Sequence, residues 1–297
     1  MPLAATLCEP PVLARDALRP PYATMPTGTL LVSGLGLMGG SLAAAATAAG
    51  WRVLLHHRRP EPIAIAAARG WGQPCPTLAG VVADLAVVCT PVEHLDASVR
   101  ALAAAGVGVV SDVGSVKGAL CRALADLAGI FVGSHPMCGS HRQGVEHADP
   151  LLYRGATCVV TPVPGNPEQS VGLVERLWMS LGCRVVRLSP DEHDRAVAAA
   201  SHLPHVLANA AARRLTAAAA PLCAGGFRDV TRVAGGSTEL WTGILLANRA
   251  EVAREVRAAS AELTALATAL DDGDEAALRT WLDAGHAGRA RYEAART

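Results

Sequence analysis

A chain of 297 residues with 51% hydrophobic content is long enough for one large domain or two, each with its own core. Its 26 basic residues balance 26 acidic ones and, Lys117 apart, are arginines scattered along the chain, which argues against a nucleic-acid partner. No apolar stretch reaches the roughly 18 residues of a membrane span, and eight cysteines without zinc or Cys-x-x-Cys spacing are expected as reduced, buried thiols of a cytoplasmic protein without a metal site.

Residues 1–26 are proline-rich and without periodicity, and they lack the basic-then-apolar order of a secretory signal. A disordered extension is expected there, with Met25 as an alternative start. Residues 29–33 form a short apolar run, followed by Gly34-Leu35-Gly36-Leu37-Met38-Gly39-Gly40 and an alanine-rich helical stretch over 41–49. Strand, glycine turn and helix in that order predict a dinucleotide site. Gly34 suits the tight turn, Gly36 the close approach of a pyrophosphate, and Gly39 the packing of helix on strand.

Residues 52–56 read as the second strand, and its end lies about 20 residues past the glycines, where an NAD site offers a carboxylate to the ribose. Here the chain reads His56-His57-Arg58-Arg59. His57, Arg58 and Arg59 therefore favour NADP over NAD, since arginines can meet a 2′-phosphate with charge-assisted hydrogen bonds. The bland alternative is a solvated basic turn with Glu61 serving the ribose.

Residues 85–89, 107–112 and 130–132 read as further buried strands, with helices over 94–104 and 116–127, which predicts a parallel sheet covered by helices. Thr90-Pro91 and the run Asp112-Val113-Gly114-Ser115-Val116-Lys117 end two of those strands and fall at the carboxyl edge, beside the cofactor crevice. Ser115 is equally open to a helix N-cap role.

Gly133-Ser134-His135-Pro136-Met137-Cys138-Gly139 follows and reads as a stiffened loop after a strand, placing a single histidine between a nucleotide-binding half and a helical half. Strands over 156–161 and 183–188 flank a helix over 167–181. From residue 189 onward the stretches 191–220, 249–270 and 274–295 have helical composition, so a domain boundary is expected near 189. Pro204, in Ser201-His202-Leu203-Pro204-His205, should kink its helix and turn His202 or His205 toward a site. Arg228 and Arg232 stand one helical turn apart, a spacing that can grip a carboxylate.

Five segments carry a family resemblance: the glycine turn from Gly34 to Ala43, Asp112-Val113-Gly114-Ser115-Val116-Lys117, Gly133-Ser134-His135-Pro136-Met137, His202-Leu203-Pro204-His205 and Arg228-Asp229-x-Thr231-Arg232. In this order the chain resembles the prephenate/arogenate dehydrogenases of tyrosine biosynthesis, from about residue 28 to about residue 290. The resemblance implies an α/β Rossmann-type N-terminal domain (27–188) followed by an all-α C-terminal domain (189–297) that forms a homodimer. It also implies NAD(P)-dependent oxidative decarboxylation of a small-molecule substrate, prephenate or arogenate.

By the same resemblance His135 is the catalytic histidine that accepts the proton of the ring hydroxyl at C4, and Ser115 bonds that hydroxyl. His205 and Arg232 are implied at the substrate, Arg232 on a carboxylate, and His202 is a substrate candidate from the Pro204 kink. Independently of the resemblance, the glycine turn places Gly34, Leu35, Gly36, Leu37, Met38 and Gly39 at the cofactor, and the carboxyl edge of the sheet places Thr90, Pro91 and Asp112 there.

Two positions depart from the family pattern. Ser140-His141 stands where many members carry Thr-Glu, and Ser237-Thr238 replaces the usual Ser-Asp-Pro before Trp241. Ser140 and His141 are therefore candidates for setting substrate choice. The length leaves no room for a fused chorismate mutase and little for an ACT domain, so tyrosine feedback through such a domain is not expected.

Three rival readings remain beside this one. A β-hydroxyacid dehydrogenase would need a lysine in the helical half, whereas Lys117 lies in the nucleotide half. A non-catalytic NADP-binding sensor would leave His135, Ser115 and Arg232 unused. A relative acting on 4-amino-4-deoxyprephenate would keep the same machinery.

Overall fold

The computed structural model describes residues 28–139 and 142–295. The expectations for residues 1–26, Ser140 and His141 lie outside the described residues. Among those described, all seven cysteines are free, and no helix is long and apolar enough to cross a membrane.

The chain divides into two compact units, the first of residues 28–194 with 236–247, the second of 195–235 with 248–295. In the first, β1 (Thr29–Ser33) leads into α1 (Leu37–Ala48), β2 (Arg52–His56), α2 (Pro60–Ala68), β3 (Gln73–Pro74), β4 (Leu85–Val88), α3 (Leu95–Ala104) and β5 (Val110–Asp112). The five strands form an all-parallel sheet in the order β3-β2-β1-β4-β5. Leu30, Val32, Leu85 and Val87 are fully buried, the continuous apolar burial that helices on both faces of a parallel sheet require. The strand order reverses between β1 and β4, so the ligand crevice of an open α/β sheet belongs at Gly34 and Thr90.

After α4 (Gly118–Ala123) the chain enters a second sheet made of β6 (Gly133–Pro136), β7 (Thr157–Thr161) and β8 (Arg184–Arg187), with α5 (Glu168–Ser180) between the last two. This corrects two expectations. Residues 130–132 make only a bridge, Phe131 to Val110, and the strand proper is Gly133–Pro136, so His135 stands in a strand and not in a loop. The cause is tertiary: β6 pairs antiparallel with β7, setting Gly133 opposite Thr161 and His135 opposite Val159. A Cβ at Gly133 would lie 2.5 Å from Thr161 Oγ1, so glycine is what lets the strands close.

Ser189 and Glu192 form a capping box at the start of α6 (Pro190–Val197): Glu192 Oε2 accepts the Ser189 N–H (2.9 Å) and Ser189 Oγ accepts the Glu192 N–H (3.3 Å). The boundary between the units falls inside α6. A π-turn, Ala198–His202, carries the chain into α7 (Leu203–Arg213), absorbing Pro204 where a regular helix would need its missing N–H. The rest of the second unit holds α8 (Gly225–Thr231) and, beyond α9 (Thr238–Ala247) of the first unit, α10 (Arg249–Asp271) and α11 (Glu275–Ala294). Gly243 brings α9 against Val92, whose Cγ1 would be 3.0 Å from a Cβ there. In α10 only Val252 is buried and in α11 nothing is, leaving Leu263, Leu270, Trp281 and Leu282 each at least 40% exposed. Such a face needs a cover.

Candidate active site

The geometry of the glycine turn suits a dinucleotide. Gly34 has φ +98°, and a Cβ on it would sit 2.8 Å from the Cys89 backbone where β1 and β4 diverge. A Cβ on Gly39 would fall 1.8 Å from Gly34 O, so α1 rests directly on the turn. At Gly36, by contrast, a Cβ would meet nothing within 4 Å. Open space therefore faces the backbone at the N-terminus of α1, whose first turn holds no acidic residue, and the helix-end amides there suit a pyrophosphate. Leu37 and Met38 are half-buried beside it, whereas Leu35 is 1% exposed and belongs to the core. Any contact of Leu35 with a cofactor is through its backbone.

At the end of β2, His57 Nδ1 accepts the Arg59 N–H at 3.0 Å, and burial, the largest influence, lowers the His57 pKa. Arg58 and Arg59 are exposed and make no ion pair among the described residues. Thr90 is half-buried and its hydroxyl lies 3.5 Å from Ser98 Oγ, while Pro91 is exposed.

Asp112 points inward. Its side chain is fully buried; Oδ2 accepts the Gly114 N–H (2.8 Å) and pairs with the Lys117 ammonium, and Oδ1 accepts the Ser134 N–H (3.1 Å). The carboxylate thus organises the β5–α4 turn and the strand beside it, and does not face a ribose. Lys117 also donates to Ser134 O at 3.0 Å, and Trp178 Nε1–H donates to Ser134 Oγ at 3.0 Å. The residue before His135 is thereby tied on three sides. A lysine fully buried and paired in this way is a structural group, which removes the one lysine a β-hydroxyacid dehydrogenase could have used.

Next to this anchor, His135 is 8% exposed. Its Nδ1 lies 2.9 Å from His193 Nε2, the rings meeting edge to face with centroids 5.1 Å apart. His193, with no exposed surface, bonds Asp194 Oδ1 through Nδ1 at 2.8 Å. Asp194 also accepts the N–H groups of Lys117 on Oδ1 and Gly118 on Oδ2, both at 2.8 Å. Burial pushes the Asp194 carboxyl up, but the bonds from His193, Lys117 and Gly118 outweigh it and hold the pKa below the usual carboxylate value.

Those two amides open α4, so Asp194 caps that helix from 77 residues away. Ser115 is not the cap. It is half-buried in the turn after β5, and its hydroxyl makes no hydrogen bond among the described residues. His193 and Asp194 were not singled out from the sequence, although the capping box Ser189 to Glu192 marks the helix that carries them.

In the second unit, His202 sits in the π-turn, 1% exposed, with Nδ1 3.3 Å from Asn248 Nδ2. His205 opens α7 one turn on, 6% exposed, and burial lowers its pKa, which favours the neutral ring. π-turns recur at functional positions. Arg228 is engaged by Asp229 at 3.1 Å. Arg232 is exposed at the end of α8 and makes no ion pair among the described residues, which leaves it as the unit's candidate for a carboxylate.

Comparison with known proteins gives one answer along most of the chain. Residues 42–187 match the family model for the prephenate dehydrogenase nucleotide-binding domain, and residues 189–284 match that for the prephenate dehydrogenase dimerization domain. The chain is 32% identical over 245 residues to the prephenate dehydrogenase of Bacillus subtilis, a match covering 75% of this chain and 65% of that protein. Synechocystis arogenate dehydrogenase is similar in structure with TM-score 0.79 and 28% identity, over 89% of this chain and 99% of that one. Aquifex aeolicus prephenate dehydrogenase in complex with hydroxyphenyl propionate and NAD+ gives TM-score 0.81 and 27% identity, over 92% and 99%.

Proposed function

The chain belongs to the prephenate dehydrogenase family, and from that premise we propose that it oxidatively decarboxylates prephenate or arogenate with a nicotinamide cofactor. The products are 4-hydroxyphenylpyruvate or tyrosine, with CO2. The observation that carries this reading is a buried histidine, held by a second histidine on one ring nitrogen, in the same unit as a glycine turn that opens on space for a pyrophosphate.

When bound, the nicotinamide accepts the hydride leaving C4 of the substrate ring. That departure requires an acceptor for the C4 hydroxyl proton, and a neutral imidazole suits the task near pH 7. His135 takes that role, with the Ser115 hydroxyl as hydrogen-bond partner of the same oxygen. Loss of the ring carboxylate as CO2 then makes the ring aromatic, which drives the step without a protein nucleophile. His205 and His202 are assigned to the substrate as hydrogen-bonding groups. Arg232 is assigned to a substrate carboxylate, and Ser140 and His141 to the choice between ring side chains. Two copies are expected to pair through the apolar face of α10 and α11, in keeping with a dimerization domain.

The arginines after β2 favour NADP. With purified protein, kcat/KM for prephenate and for arogenate should be higher with NADP than with NAD, by about tenfold for a pair of charge-assisted bonds. Replacing Arg58 and Arg59 together by alanine should remove that advantage and leave NAD kinetics unchanged; a strong wild-type preference for NAD sinks the assignment. Arg232→Ala should raise the substrate KM by about tenfold or more at little cost in kcat. An unchanged KM takes Arg232 out of the site.

A further inference from the structure

We propose that His193 and Asp194 are positioning residues for His135, fixing the ring tautomer that makes Nε2 the proton acceptor; the inference rests on the assignment of His135 as base. An ionised carboxylate only accepts hydrogen bonds, and Asp194 already takes the Lys117 and Gly118 amides. The 2.8 Å contact to His193 Nδ1 therefore places a proton on that nitrogen. A neutral His193 then has a bare Nε2. The 2.9 Å contact from His193 Nε2 to His135 Nδ1 can only be a bond in which His135 Nδ1–H donates. The proton of neutral His135 is thereby assigned to Nδ1, and the lone pair to Nε2.

The chain of three does more than orient. When the C4 hydroxyl proton moves to His135 Nε2, the ring becomes an imidazolium, and its Nδ1–H bond to His193 strengthens as positive charge appears. Asp194 lies one ring further on as the counter-charge, and it keeps its own negative charge throughout. The proton gained by Nε2 leaves to solvent as the oxidised products depart. The fold holds the relay rigidly: His193 has no exposed surface, its N–H donates to Ser189 O at 2.9 Å, and Asp194 is locked to the N-terminus of α4. Part of the worth of Asp194 is structural, so His193 is the residue whose replacement tests the relay.

The experiment has a spectroscopic arm and a kinetic arm. Histidine-labelled full-length protein without substrate is studied by nitrogen NMR, with His135→Asn used to identify the His135 ring. Wild type should show His135 protonated on Nδ1 and bare on Nε2, and His193→Phe should lose that preference. In steady state, His193→Phe should lower kcat by about 10²-fold with KM within about threefold, because the ground-state site is intact and the developing charge is not met. His193→Gln, whose amide oxygen can accept the Nδ1–H, should recover about tenfold of that loss. A wild-type His135 carrying its proton on Nε2 overturns the proposal, as does a folded His193→Phe with near-normal kcat. If His193→Phe fails to fold, the wild-type spectrum and His193→Gln decide. If wild type turns over neither prephenate nor arogenate, the functional reading fails while the spectrum still judges the relay. An active wild type with the opposite tautomer ends the relay and leaves the function standing.

Discussion

His135→Asn should lower kcat by about 10²-fold or more and leave cofactor affinity within about twofold. Asparagine keeps a short polar side chain on β6 and can still bond its neighbour, but no atom in it takes up a proton near pH 7. The loss therefore falls on the step in which the C4 hydroxyl gives up its proton. A Cβ built on Gly34, Gly36 or Gly39 meets no atom of His135, so cofactor binding at that turn is expected to survive the substitution. Pre-steady-state formation of reduced cofactor, with a fluorescence titration of cofactor binding, checks both halves. Near-normal turnover in the variant removes His135 as base.

Gly39→Ala should be the most damaging single methyl group in the first unit. Its Cβ would lie 1.8 Å from Gly34 O and 2.9 Å from Gly34 C, and these are backbone atoms that no rotamer change can move aside. Helix α1 must lift off the turn, which costs about 3 kcal/mol and carries its N-terminal amides away from a pyrophosphate. The expected result is a Tm lower by about 10 °C and cofactor affinity reduced by about 10²-fold or more. Gly36→Ala is the matching control. Its Cβ enters open space, so it should weaken cofactor binding by intruding on the ligand and leave Tm unchanged. Equal loss of Tm in both variants would show that the turn is a folding element only.

Local pattern made the nucleotide-binding half readable. Buried apolar runs and glycine punctuation are short-range signals, and β1 and β2 stand at the bounds their runs imply, Thr29–Ser33 and Arg52–His56. His135 shows where such signals stop. Gly133, Pro136 and Gly139 spell a loop by local rules, yet pairing with β7 draws Gly133–Pro136 into a strand.

Lys117, Asp112 and Asp194 are harder still. A buried ion pair five residues apart and a helix cap 77 residues away depend on how strands and helices meet, which no window of sequence contains. For the same reason Ser115 reads equally well as a cap in the sequence, whereas in the fold Asp194 holds the α4 amides. His135 is legible in the sequence as a residue type in an unusual setting; the two groups that hold it, His193 and Asp194, are not.

C4 oxidation and loss of the ring carboxylate are expected in the same turnover at this site, with no oxidised, still carboxylated product released. Prephenate or arogenate carrying isotope in the ring carboxylate measures this directly, by following labelled CO2 against reduced cofactor through the first turnovers. One CO2 for each NAD(P)H, released without lag, is the result the mechanism predicts. Reduced cofactor formed while the label stays in a non-aromatic product would contradict it.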